Sequence, residues 1–171
     1  MNLPPYDTFP NLSDGNILLR EILDSDIKDI VEISRYDAIP AKNVAEAAEM
    51  QEKINQNYKD GQSIHWGIAD KATNRIVGTC GYYRGLDQGE GELGCILLPQ
   101  FMGQGYMTAA MRLAIQFGQN EIGLKRIFAI TTQQNGPAIR LLERLGFVKV
   151  ADLEDDEIEY EFATTNINHN V

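Results

Sequence analysis

Apolar residues recur along this chain in two rhythms. A period of two runs through seven segments of strand length: residues 16–22 (NILLREI), 63–70 (SIHWGIAD), 75–83 (RIVGTCGYY), 92–98 (ELGCILL), 125–132 (KRIFAITT), 147–153 and 157–162. A period near 3.6 marks four helices. The first, 26–35, has Ile27, Ile30, Val31 and Ser34 on one face and Asp24 or Ser25 as its cap. The second, 43–58, is strongly polar, with a narrow stripe of Val44, Ala47, Ala48, Gln51 and Ile54. The third, 103–118, turns Met107, Met111, Ala114 and Phe117 inward, and the fourth spans 135–145. Pro40 separates the first two helices. A tight turn at 71–74 joins the second and third strands, and a glycine-rich turn at 84–91 precedes the fourth.

The resulting order, β-α-α-β-β-β-α-β-α-β-β, places antiparallel hairpins ahead of βαβα crossovers. It predicts an α/β domain with a mixed, mostly antiparallel sheet. Residues 1–15 carry three prolines and read as an N-terminal arm, 16–163 as a single domain, and 164–171 as a polar C-terminal tail.

Composition narrows the class. The chain has 171 residues, 43% of them hydrophobic and 23% charged, which suits one globule with a sizeable core. No apolar run approaches the ~18–20 residues of a membrane span, and the first ten residues lack the basic-then-apolar order of a secretory signal. A cytoplasmic location is expected, with Cys80 and Cys95 as reduced thiols. The net charge of −10 argues against nucleic acid as a partner. It is compatible with a cationic substrate, whose local concentration a negative surface raises.

Candidate chemistry concentrates at Leu98-Pro99-Gln100-Phe101-Met102-Gly103-Gln104-Gly105-Tyr106-Met107-Thr108. A strand ends at a proline, two glycines follow at i and i+2, and a helix starts. Glycine allows positive φ and close approach of the backbone to a ligand. Free N–H groups of the first helical turn, with the helix dipole, then form an anion site suited to phosphate or pyrophosphate. A Walker loop is excluded, because no lysine occurs from Arg84 through Glu121. A dinucleotide fingerprint fails at Thr108, where glycine is needed, and again about 20 residues on, where Lys125 and Arg126 stand in place of an acid.

Gln100-x-x-Gly103-x-Gly105 resembles the Gln/Arg-x-x-Gly-x-Gly/Ala signature of the GCN5-related N-acetyltransferases, the GNAT superfamily. Leu19-Arg20-Glu21 followed by Ser25-Asp26 resembles the opening of the ribosomal-protein N-acetyltransferase (RimJ/RimL-like) branch. Glu92-Leu93-Gly94 resembles the Glu-Ile-Gly of that branch's fourth strand. Gly103 to Thr108 resembles its Gly-x-Gly-Tyr-x-Thr. Residues 135–147 (NGPAIRLLERLGF) resemble its Asn-x-x-Ser-x-x-x-x-Glu-x-x-Gly-Phe. The likeness runs from residue 16 to 162.

This resemblance implies a sheet of about seven strands, splayed between the fourth and fifth and flanked by about four helices. It implies acetyl-CoA as cofactor, no metal, and transfer of acetyl to a primary amine, either a protein N-terminus or a small molecule. A homodimer is common in the family. The pantetheine arm would lie along backbone groups of Cys95, Ile96, Leu97 and Leu98, and the pyrophosphate on amides of Met102, Gly103, Gln104, Gly105, Tyr106 and Met107, with Gln100 in reach. Asn135 would bond the pantetheine, cap its helix, or do both. A backbone N–H near Ile96 would hold the tetrahedral oxyanion.

Glu92 is the candidate general base, acting through a water, with His65 as a second candidate. Tyr82 and Tyr83 point to opposite faces of one strand, so one faces the substrate cleft; Tyr82 is the candidate. Two departures stand out. Leu142 occupies the position of the family's acidic tyrosine, and Ala138 that of the branch's serine. A thiol with a pKa of about 8.5 leaves fairly well unaided, so the losses point to slower chemistry or another acid. They also leave open a CoA-binding sensor without turnover; a nucleotide-binding domain of another kind is a third, weaker reading.

Overall fold

The computed structural model describes residues 1–163; the tail assigned to 164–171 lies outside the described residues. Eight strands form one sheet in the order β1-β2-β5-β6-β7-β8-β10-β9. They are β1 (Leu12–Asp14), β2 (Ile17–Arg20), β5 (Ile64–Asp70), β6 (Ile76–Tyr82), β7 (Glu90–Leu97), β8 (Arg126–Thr132), β9 (Phe147–Asp152) and β10 (Glu157–Phe162). The seven alternating segments of the sequence are all strands. The eighth, β1, lies within the segment read as an arm and pairs antiparallel with β2. The same segment sends Leu3, Tyr6, Phe9 and Leu12 against the core, and the Pro10 carbonyl accepts a bond from Trp66 Nε1 at 2.9 Å.

All neighbouring strands run antiparallel except β7 and β8. Their parallel ladder covers only Glu90–Glu92 against Arg126–Phe128. Beyond Glu92, β7 continues to Leu97 paired with β6 alone. The sheet therefore splits between the fourth and fifth predicted strands. Arg126 clasps the closed end: its guanidinium reaches Glu161 at 2.9 Å, Glu159, and Glu90 at 3.4 Å.

The helix α2 (Tyr106–Phe117) covers one face. Its Ala110, Met111, Ala114, Ile115 and Phe117 are buried against Ile64, Trp66, Cys80, Tyr82, Leu93 and Leu97. Of the four residues expected inward, Met107 is only half-buried. Trp66 and Phe117 meet edge to face at 5.3 Å, a preferred aromatic geometry. The helix α3 (Gly136–Arg144) adds Leu141 and Leu142 to the same core.

The opposite face carries α1 (Val44–Lys59), capped by the Asn43 side chain on the Glu46 N–H. The helix expected over 26–35 is not there. That stretch forms two 3-10 turns, Asp24–Asp29 and Val31–Ile33. Asp24, Asp26, Asp29 and the β-branched Ile27, Ile30, Val31 and Ile33 are poor helix-interior residues. Asp26 is also committed elsewhere: it accepts the Leu23 N–H at 2.8 Å and a bidentate pair from Arg20 at 2.8 and 3.0 Å. Burial pushes the Asp26 carboxyl up, but Arg20 and the Leu23 amide outweigh it and hold it below the usual carboxylate range. The Arg20…Asp26 spacing seen in the sequence is thus a structural ion pair. After the second turn comes a small hairpin, β3 (Arg35–Tyr36) and β4 (Ile39–Pro40), whose turn residues Asp37 and Ala38 take φ of 48° and 63°.

Candidate active site

Where β7 ends, Pro99 opens a 3-10 turn, Pro99–Phe101. Gly103 and Gly105 follow with φ of 77° and 84°. A Cβ added to either would meet nothing within 4 Å, so both border open space. Gly105 is the N-cap of α2 and supplies no side-chain cap. Among the described residues, no chain acceptor takes the N–H of Gly103, Gln104, Gly105, Tyr106, Met107 or Thr108; the first bond of the helix is Ala109 N–H to the Gly105 carbonyl at 3.2 Å. Six successive amides thus present donors to one open corner at the positive end of a helix dipole, an arrangement that takes an anion. One expectation changes. Met102 donates its amide to the Pro99 carbonyl at 3.2 Å, so it drops out of the donor run and Thr108 joins it. Gln100 is exposed beside the loop, its carbonyl accepting Gln104 Nε2 at 3.1 Å.

Register decides which groups of β7 face the split. Leu98 N–H donates to Val77 O and Tyr83 N–H to Glu92 O, both at 2.9 Å. Hydrogen-bonded pairs alternate along an antiparallel ladder, so Ile96 and Leu98 turn their main-chain groups to β6. The amides of Cys95 and Leu97 face the unpaired edge. The oxyanion donor expected at Ile96 is therefore reassigned to Cys95 or Leu97, and an extended chain in the split meets those two residues rather than all four. The Cys95 thiol points the other way, against Cys80; that contact and burial push its pKa well up, which leaves it an unreactive thiol.

On the α1 face, α1, the 3-10 turns and the β3–β4 hairpin enclose a cavity of about 700 Å³. Its sheet wall includes His65, Thr79, Tyr83, Arg84, Glu92 and Ile96. Glu92, His65 and Ile96 are thus brought together, at the level where the strands part. Glu92 is ion-paired with Arg84, whose pKa rises because of that contact. Burial lowers His65 to about 4, so its imidazole is neutral near pH 7 and a feeble proton acceptor. The base role expected of it is not supported.

Tyr82 is corrected outright. It is fully buried on the α2 face, its hydroxyl donating to the Ala114 carbonyl at 2.7 Å. The tyrosine that lines the cavity is Tyr83. Asn135 caps α3, its Oδ1 accepting the Ala138 N–H at 3.2 Å, and its other amide group remains available. Leu142 is buried in the core, and Ala138 is half-buried in the first turn of α3. Among the described residues no group of three or more His, Cys, Asp or Glu is placed to hold a metal ion. No described helix is long and apolar enough to cross a membrane.

A split mixed sheet, an open amide run after its central strand and a cavity on the far face define an acyl-transfer domain. Residues 16–148 match the acetyltransferase (GNAT) domain family, and the chain belongs to that family. It is 34% identical over 129 residues to the uncharacterised N-acetyltransferase p20 of Bacillus licheniformis, covering 74% of this chain and 72% of that one. Two solved structures share the fold at 18% identity. One is a ribosomal-protein-S5-alanine acetyltransferase of Vibrio fischeri, with a TM-score of 0.74 over 92% of this chain and 98% of the other. The second is a dodecameric spermidine N-acetyltransferase of Vibrio cholerae, with a TM-score of 0.74 over 91% and 99%. The protein is an N-acetyltransferase, an enzyme that moves an acetyl group to an amine, and this reading is favoured over a binding module without turnover.

Proposed function

We propose that the acetyl donor is acetyl-CoA, held by its pyrophosphate on the amides from Gly103 to Thr108, with its pantetheine arm in the split beside Cys95 and Leu97. The acceptor is a primary amine entering the cavity on the α1 face. The observation that carries this reading is the run of six amides without an acceptor among the described residues, next to a strand edge that is likewise unpaired among them. A diphosphate fits the first and an amide-bearing extended arm the second.

Acetyl-CoA supplies an activated thioester. The chain's own groups supply position. An α-amine has a pKa near ~8, so a useful fraction is neutral at pH 7.5 without a strong base. The amide of Cys95 or Leu97 stabilises the negative oxygen that forms as nitrogen attacks. Glu92, which lines the cavity beside Arg84, relays the surplus proton outward through a water.

The protein works in the cytoplasm, as a dimer or larger assembly. Calorimetry with coenzyme A, followed by thiol release from acetyl-CoA against a panel of N-terminal peptides and of di- and polyamines, tests the reading. Micromolar binding and amine-dependent release are expected. No binding at millimolar coenzyme A, or release that ignores the amine, would end it.

A further inference from the structure

Across β6 and β7, Gly81 faces Gly94 as its register partner, and both lie on the cavity side. A Cβ on Gly94 would overlap the ring and hydroxyl of Tyr83, whereas one on Gly81 would overlap the Ile64 carbonyl oxygen and crowd the backbone and ring of His65. The two rings meet at 4.7 Å, inclined by 36°. The missing side chain at Gly94 thus lets Tyr83 lie on β7 with its oxygen directly above Gly94, and the one at Gly81 lets His65 come close enough to pack against that ring. Gly94 adjoins Cys95, whose amide faces the split. Unlike the Tyr82 hydroxyl, that of Tyr83 has no partner among the described residues, and Tyr83 lines the cavity.

The oxygen of the acetyl group gains charge beside Cys95, where a second donor would add to the β7 amide. We propose that Tyr83 donates a hydrogen bond to the acetyl carbonyl oxygen as it becomes an oxyanion, acting with the neighbouring β7 amide. The amine lone pair forms the C–N bond and the carbonyl π pair moves to oxygen, where Tyr83 meets it without surrendering its proton. When that pair returns, the C–S bond breaks, sulfur leaves as thiolate, and the proton from nitrogen passes to water. Tyr83 keeps 39% of its surface exposed toward the cavity, and an ordinary phenol, with a pKa of about 10, is already protonated near pH 7. Its surroundings push it upward, not down, so it stays protonated, as a donor must.

This inference rests on the proposed function, and Tyr83→Phe tests it separately. The ring stays over Gly94 and only the oxygen goes. We expect kcat to fall about 100-fold, the scale for one oxyanion donor, with KM for acetyl-CoA, coenzyme A affinity and melting temperature unchanged. With a bound ketone analogue of acetyl-CoA, labelled at the carbonyl carbon, the infrared carbonyl band should move to higher wavenumber in the variant. A kcat within twofold of wild type, an unmoved band, or a loss confined to KM for the amine would overturn the proposal. If the variant melts early, 3-fluorotyrosine at position 83 replaces it: a more acidic phenol should shift the band to lower wavenumber, and no shift overturns the proposal. Wild type that acetylates no amine refutes the proposed function instead.

Discussion

His65 makes the stability of this protein fall as the solution becomes mildly acidic. In the folded chain, burial depresses the imidazole to about 4, against ~6.5 in an unfolded chain. The native state therefore binds fewer protons between these values. Stability is complete above pH 6.5 and drains away as pH falls toward 4, because only the unfolded chain gains the proton. Between pH 7.5 and 5 the loss from this one group amounts to about 2 kcal/mol. Asp26, the other group with a shifted acidic titration, acts in the same direction but only near and below the ordinary carboxylate range. Urea titration at half-unit pH steps reads the slope directly. The partner measurement is His65→Gln, which cannot titrate. Whatever its absolute stability, its profile from pH 7.5 to 5 should be about 2 kcal/mol flatter than that of wild type. Parallel profiles would mean that the imidazole protonates freely in the fold. The basis for excluding it as a feeble base would then fail, together with its place as a neutral ring packed against Tyr83.

Three further outcomes follow from single contacts. Tyr82→Phe removes the bond to the Ala114 carbonyl and should cost about 1 kcal/mol in urea titration while kcat and both KM values hold, the reverse of Tyr83→Phe. Arg20→Met strands Asp26 without its bidentate partner and should cost about 3 kcal/mol at pH 7. Because the folded carboxyl is depressed, that deficit should shrink as pH drops below ~4, and a pH-independent deficit would refute the pairing. Gly105→Glu puts a side chain and a negative charge on a residue at φ 84° facing open space. Coenzyme A affinity by calorimetry should weaken at least tenfold, because a carboxylate and its side chain would occupy the space the diphosphate needs, and unchanged affinity would move the diphosphate elsewhere.

The sheet was legible because six of the seven alternating segments are buried on at least one face, where the period of two survives; the remaining one, β9 at the sheet edge, buries only Phe147 and leaves Val148 and Val150 exposed. The open glycine loop before α2 was legible for a different reason. Two glycines alone are a weak signal, but their place between a strand-ending proline and a helix, within the spacing of the resemblance, marked the loop, and the structure gives both positive φ. The stretch from Asp24 to Pro40 was not legible. Ile27, Ile30 and Ile33 recur with a spacing that suits both a helix and consecutive 3-10 turns, and it took the Asp26 carboxylate, tied to Arg20 and the Leu23 amide, to decide between them. The helix α1 was located but its purpose was hidden. Its apolar stripe is weak because Met50, Gln51, Ile54 and Asn57 border a cavity instead of a packed core.

The choice between Tyr82 and Tyr83 shows where alternation stops being informative. It separates two neighbours onto opposite faces but does not say which face is core when both are covered, here by α2 on one side and α1 on the other. The deciding signal was present in the glycines. Gly81 has the parity of Tyr83, and Gly94 sits opposite Gly81 in the register. A glycine inside a strand marks a place where something comes close to the backbone, and two facing glycines mark a clearing wide enough for a ring. An aromatic residue two positions from such a clearing, and on its side, is the one that can lie down in it. Substituting alanine for Gly94 would lift the Tyr83 ring off the strand while leaving its hydroxyl intact. If position rather than presence of that hydroxyl governs the rate, Gly94→Ala should lose nearly as much kcat as Tyr83→Phe, and the double variant little more than either. Independent, additive losses would show that the glycine and the tyrosine serve separate ends.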